Sequence, residues 1–213
     1  MSTIVIAGGH GQIALQLGRL LSARGDTVRS LVRNFDHAGD VAATGAEPVM
    51  ADLEAPDDLG PVVSGADAVV FAAGAGPGSG AARKRTVDYG GAVKLLEAAT
   101  STGARRYLII SSMGAGDPAS GSEAMRPYLE AKAQADAAVA RSDLDWTIVR
   151  PGGLTDDAGS GMVAVGSGLG FGSVPRADVA AVLAACLDEP RTVRATFDLV
   201  SGSTPIAEAL ASL

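Results

Sequence analysis

The run Ile4-Val5-Ile6-Ala7-Gly8-Gly9-His10-Gly11-Gln12-Ile13-Ala14 limits the possible folds of this chain more than any other segment. Its apolar start reads as a buried strand. Beyond the glycines, Ile13, Leu17, Leu20 and Leu21 recur at helical spacing, and Gly25 followed by Asp26 supplies a stop. Gly8 and Gly11 stand three apart, and Ala14 occupies the place of a third small residue. In such a turn the first glycine allows the sharp reversal, the second lets the backbone approach a pyrophosphate, and the third small residue lets helix and strand pack closely. The helix start adds free amides and the positive end of its dipole. With Thr27 to Val32 as the next strand, one βαβ unit fills about thirty residues. The segment therefore predicts a dinucleotide site on Gly8, Gly9, His10, Gly11, Gln12 and Ile13.

The same rhythm continues along the chain. Runs rich in Val and Ile at Thr3–Ala7, Thr27–Val32, Glu47–Ala51, Ala68–Ala72, Arg106–Ser111, Trp146–Arg150 and Phe197–Val200 alternate with Ala- and Leu-rich helical segments. Helices are expected over Lys84–Thr100, Pro127–Arg141, Arg176–Leu187 and Pro205–Leu213, with Thr204 capping the last and Pro205 at its first position. The strands are short and almost wholly apolar, as when helices cover both faces. The expected class is α/β: a Rossmann-like, doubly wound, mostly parallel sheet of seven strands with helices on both faces. One domain should span residues 1–213, with a minimal substrate segment at about 153–175. The glycine-rich stretches Gly74–Gly80 and Gly159–Gly172 read as loops following strands, where doubly wound folds bind ligands.

Composition removes several alternatives. Hydrophobic residues make up 47%, yet no apolar run approaches the length a bilayer-spanning helix needs. Met1 leads straight into the strand-like Thr3–Ala7 without the features of a secretory signal, so cytoplasm is the expected compartment. Cys186 is the one cysteine, set in an apolar stretch and expected to be buried, and only His10 and His37 are histidines. No metal site is expected from so few soft ligands. A formal net charge of −7 argues against nucleic acid as a partner, and no membrane association is expected. The expected partner is a small-molecule substrate; monomer and homodimer both remain open.

Cofactor choice should be decided at the end of the second strand, where NAD sites present a carboxylate to the ribose 2'-hydroxyl. The residues there are Leu31-Val32-Arg33-Asn34, with no acidic residue between Thr27 and Phe35. A guanidinium offers a fixed, planar set of donors to a 2'-phosphate, so Arg33 favours NADP(H). Asp36 is close enough to keep NAD(H) open.

Beyond the loop, the chain carries Ala51-Asp52-Leu53 after the third strand, Ala72-Ala73-Gly74 after the fourth and Ile110-Ser111-Ser112-Met113 after the fifth. These are followed by Tyr128-Leu129-Glu130-Ala131-Lys132, Asp145-Trp146-Thr147-Ile148-Val149-Arg150-Pro151-Gly152 and Arg176-Ala177-Asp178-Val179-Ala180. Taken together these resemble the atypical short-chain dehydrogenase/reductase superfamily, in particular its small NAD(P)H-binding, NmrA-like branch. The resemblance covers essentially the whole chain. It implies that Asp52 and Leu53 bind adenine, that Ala72, Ala73 and Gly74 line the ribose, and that Pro151 borders the nicotinamide.

Tyr128 and Lys132, spaced i,i+4, emerge on one helix face. A phenol exchanges protons poorly near neutrality unless its phenolate is stabilised, and Lys132, the helix start and an oxidised nicotinamide would all do so. Lys132 could also hold the nicotinamide ribose. Ser112, or its neighbour Ser111, would orient a substrate carbonyl toward Tyr128. This is the Ser-Tyr-Lys order of the short-chain dehydrogenases, with Ser111 also counted in the cofactor site.

The expected activity is thus an NADP(H)-dependent oxidoreductase acting on a small carbonyl, quinone or flavin. The alternatives are a redox sensor that binds the dinucleotide without turnover, and an epimerase or dehydratase, disfavoured because little chain follows Pro151 to build a substrate domain.

Overall fold

Residues 1–76 and 78–213 are described by a computed structural model; Pro77, within the predicted Gly74–Gly80 loop, lies outside the described residues. In chain order the elements begin with strand β1 (Thr3–Ala7), helix α1 (Gln12–Arg24), β2 (Thr27–Val32), a 3₁₀ turn at Phe35–His37, α2 (Ala38–Ala42), β3 (Glu47–Met50), α3 (Gly60–Val63) and β4 (Ala68–Phe71). A short α4 (Ala81–Arg83) runs into a wide π turn over Lys84–Gly91, then α5 (Ala92–Thr102), β5 (Arg106–Ile110), α6 (Arg126–Ala140) and β6 (Asp145–Pro151). The chain continues through β7 (Gly153–Thr155), β8 (Met162–Gly166), β9 (Ser173–Pro175), α7 (Arg176–Cys186), β10 (Ala195–Ser201), β11 (Thr204–Pro205) and α8 (Ile206–Ala211).

Why α1 forms where it does is plain in the residues at its ends. Gly11 enters in an extended conformation, and Gly25 at φ +92° gives the left-handed stop that a side chain would resist. Its buried stripe is Ile13, Ala14, Leu17, Gly18 and Leu21, whereas Leu20 points outward.

The main sheet has nine strands among the described residues, in the order β11-β8-β10-β6-β5-β4-β1-β2-β3, with β7 and β9 forming a separate parallel pair. All seven strands read from the sequence are present and parallel to one another. The count of seven is corrected by β8, antiparallel to β10, and by β11, which pairs with β8 at the edge. Strand β8 lies inside the glycine-rich stretch read as loop; its run Met162-Val163-Ala164-Val165 is apolar, but the glycines on both sides gave the whole stretch the composition of a loop. Thr204 and Pro205 belong to β11 rather than opening the last helix, and Pro205 sits in the capping position with no side-chain cap. The helix expected over Lys84–Thr100 is likewise divided by the π turn.

Alternate residues of β1 face opposite layers. Ile4 and Ile6 join a core with α1 and α7, and Val5 and Ala7 join one with α3, α5 and α6. Burial on both faces is why the inner strands show no polar alternation. No helix among the described residues is long and apolar enough to cross a membrane.

The strand order reverses between β4 and β1, whose registers bring Ala7 beside Phe71. At such a switch point successive connections leave in opposite directions, and a crevice opens at the strand ends.

Candidate active site

The crevice has two adjoining halves that share Ala72, Ala73, Gly74, Ala75 and Gly76 as a common wall. One, about 340 Å³, is lined by Gly8, His10, Gly11, Arg33, Asp52, Leu53 and Glu54 among others. The other, about 470 Å³, is lined by Ile13, Asp88, Ile110, Ser111, Tyr128, Lys132 and the residues around them.

The first half is built by glycine geometry. Gly8 has φ +81°, and a Cβ there would lie 2.6 Å from Ala73 Cα, because β1 and β4 end side by side. A Cβ on Gly9 would lie 2.7 Å from Ser30 Cβ. Gly11 bonds back to Gly8 O at 2.9 Å, which closes the turn. Helix α1 has no side-chain cap and no acidic residue in its first turn, leaving its first amides for an anion. The cradle thus fits a pyrophosphate, with Gln12 and Ile13 opening the helix; Ile13 lines the second half, whereas Gln12 points to solvent.

At the outer end of this half, Arg33 is not a free cation. Its guanidinium lies 3.7 Å from Glu54, which also meets Arg83 at 3.3 Å and accepts a hydrogen bond from Thr86 at 2.6 Å. Glu54 and Arg83, both in the cleft wall, lie outside the stretch just after β2 where sequence position places the contacts to the ribose 2' group. Asp36 instead turns back onto Asn34, whose Oδ1 accepts from its amide at 3.0 Å, and it does not line the cleft. Asp52 lines the cleft and also accepts the Glu54 amide at 2.9 Å, so the same carboxylate shapes the turn and faces the cavity. His10 stacks on His37 with ring centroids 3.7 Å apart, and its Nε2 meets Asp40 at 2.8 Å. No spacing in the sequence could have joined these two rings.

In the second half, Tyr128, Lys132 and Asp136 follow one another along one face of α6. Lys132 is 3% exposed; its ammonium donates to Ile110 O at 3.0 Å and pairs at 3.2 Å with Asp88, which is fully buried in the π turn. The same Nζ lies 5.8 Å from the centres of the Tyr128 and Phe71 rings. Asp88 in turn accepts the Ala75 amide at 3.2 Å, tying the common wall to the π turn. A wide turn of this kind commonly re-aims side chains at functional sites.

Ser111 is 3% exposed; its hydroxyl makes no hydrogen bond of ordinary geometry among the described residues, although it lies close enough to Asp136 to act on that carboxyl. It lies beside the cavity. Ser112 is not among the lining residues and instead opens a 3₁₀ turn at Met113–Gly116. Pro151 ends β6 and is buried, outside the lining of either half. Behind Ser111, Asp136 bonds Arg150 at 2.9 Å. Burial pushes the Asp136 carboxyl above the ordinary range, opposed by Ser111, Arg150 and Lys132. Of the two glycine-rich stretches, Gly74–Gly80 contributes Gly74, Gly76 and Gly78 to the cavity wall, whereas residues 159–172 contribute none. That second stretch is held by Asp178, which accepts from the Ser160 and Gly161 amides at 3.0 and 2.8 Å.

Residues 8–190 match the model of a family described as NAD(P)H-binding. The chain is 39% identical over 212 residues to YhfK of Bacillus subtilis, described as an uncharacterized sugar epimerase, covering 99% of each. A solved structure from Bacillus halodurans, described as an NAD-dependent epimerase/dehydratase, superposes with a TM-score of 0.95 at 37% identity over 100% of both chains. The oxidoreductase ylbE of Lactococcus lactis gives 0.87 at 25% identity, over 99% of this chain and 96% of its own.

Proposed function

This chain belongs to the NAD(P)H-binding family, within the NmrA-like Rossmann superfamily, and on that premise we propose that it is an NADP(H)-dependent oxidoreductase of the short-chain type. Its substrate is a small carbonyl, quinone or flavin. The observation that carries this reading is a crevice with a glycine turn suited to a pyrophosphate at one half and a buried serine and a tyrosine lining the other. When bound, the nicotinamide supplies a hydride. The protein's own part is to orient and to manage the proton. Ser111 Oγ donates to the acceptor's oxygen, Tyr128 delivers a proton there, and the Lys132–Asp88 pair fixes the wall beneath both.

NADP(H) is preferred because Arg33 and Arg83 converge on one place in the wall. Glu54 now occupies them; a 2'-phosphate brings a stronger anion to the same two guanidiniums.

An epimerase reading draws on the descriptions of two relatives. Against it, residues between β6 and α7 form only short strands that pair with each other or with the sheet edge, leaving no separate lobe to grip a sugar nucleotide. A non-catalytic sensor would bind the dinucleotide and consume none. Following NADPH absorbance against a panel of quinones, flavins and aldehydes separates the oxidoreductase from the other two. Net oxidation supports the proposal; tight binding with no net oxidation across the panel refutes it.

A further inference from the structure

Two cations at the substrate half have no part in the chemistry above. Lys84, which opens the π turn, and Arg176, which opens α7, both line the cavity that holds Ser111 and Tyr128. They reach it from opposite layers, since the π turn leads into α5 on one face of the sheet and α7 lies on the other. Among the described residues Asp88 is the one acidic residue in that wall, and it is committed to Lys132 at 3.2 Å. Arg176 pairs at 2.7 Å with Asp156, whose side chain is 74% exposed. With both pairs counted, Lys84 leaves the cavity with one net positive charge, and Arg176 adds donors held only by an exposed carboxylate, in a chain whose formal net charge is −7. Apart from the Ser111 and Tyr128 hydroxyls and the glycines, the rest of its wall, including Ile13, Ile110, Met125 and Leu154, is apolar.

A positive, partly enclosed cleft concentrates anions, and guanidinium and ammonium donors bind carboxylates with charge-assisted hydrogen bonds. The phosphates of the cofactor already have their cradle at Gly8–Gly11 in the other half. We propose that the substrate carries an anionic, carboxylate-type group on an apolar body, and that Lys84 and Arg176 hold that group while the body lies on the apolar wall. This rests on the oxidoreductase reading for the identity of the cavity, but its test does not require turnover.

The test is calorimetric titration of the full chain, saturated with NADP+, with naphthalene-2-carboxylate and its neutral isostere naphthalene-2-carboxamide. The acid is expected to bind about tenfold more tightly than the amide. The ratio should fall toward one in Lys84→Met and Arg176→Met. In Asp156→Asn, which alters an exposed side chain and frees Arg176, it should rise. Equal affinities, no binding of either compound at millimolar levels, or a ratio unmoved by all three substitutions would overturn the proposal. If the variants instead lose NADP+ and keep the ratio, the cations serve the cofactor; the anion proposal falls and the oxidoreductase reading stands. If the unaltered chain takes up no nicotinamide nucleotide, that reading fails, and the acid-to-amide ratio on the cofactor-free chain still decides the anion site.

Discussion

Lys132 and Asp88 meet inside the protein at 3.2 Å, 3% and 0% exposed, joining α6 to the π turn beneath the cleft. The ammonium that was expected to stabilise a Tyr128 phenolate already has a carboxylate partner. Its charge therefore acts on the phenol as one end of a dipole, not as a lone cation. Removing one member leaves the other charge buried without compensation, which costs far more than the pair contributes. Lys132→Met is expected to lose about 3–5 kcal/mol of stability. The double variant with Asp88→Asn should regain most of it. Urea unfolding of the three variants gives the coupling directly; additive losses would mean that the pair is not energetically coupled.

Tyr128 and Ser111 should both matter to the reduction of a carbonyl. For a carbonyl that needs a proton, Tyr128→Phe is expected to lower kcat about 10²- to 10⁴-fold, and Ser111→Ala to act in the same direction. Ser112→Ala, away from the cavity wall, should do much less. Steady-state rates of the three variants on one aldehyde check this, and a larger loss at Ser112 would reverse the assignment.

Cofactor choice should respond oppositely to the two members of one ion pair. Arg33→Gln is expected to weaken NADPH more than NADH, whereas Glu54→Gln releases Arg33 and Arg83 and strengthens NADPH. Each change should be within about tenfold, since these side chains are partly exposed. Fluorescence titration with both nucleotides reads the ratio; equal changes for the two would remove Arg33 and Glu54 from the 2' position.

The glycine turn tolerates no side chain at its first position. Gly8→Ala combines a φ of +81° with a Cβ 2.6 Å from Ala73 Cα, so the β1 and β4 ends must separate. Strain of roughly 1–3 kcal/mol is expected, together with loss of the thermal shift that NADPH gives the unaltered chain. Melting curves with and without nucleotide test both parts, and Gly25→Ala, where the Cβ would meet nothing, provides a control for backbone strain alone.

Cys186 is fully buried, and burial pushes its thiol up to about 12. The folded protein should therefore resist iodoacetamide from neutral to mildly alkaline pH. Denaturant restores an ordinary thiol, so labelling should begin with unfolding. Mass spectrometry across a urea series checks this; rapid labelling without urea would mean that α7 opens readily in the native state.

Local patterning carried the inner fold. Inner runs such as those of β1, β4 and β5 became parallel strands because burial on both faces leaves an unmistakable composition, and Gly8, Gly11 and Gly25 announced a turn and a stop by backbone chemistry alone. The edge was less legible. The apolar run of β8 is hidden among glycines and β11 is two residues long; β8 forms because β10 offers it an unpaired side, and β8 in turn offers one to β11.

From the sequence alone came the glycine turn between β1 and α1, the helix face shared by Tyr128 and Lys132, and the cation at Arg33, all features within one or two turns of chain. What only the tertiary structure decided was the company those groups keep: Glu54 between Arg33 and Arg83, Asp88 against Lys132, His37 on His10, and Ser111 rather than Ser112 at the cavity. Spacing fixes which side chains leave one element together. Charge compensation, burial and orphaned donors arise where separate elements meet, and that meeting is set by how the whole sheet and its two helical layers pack.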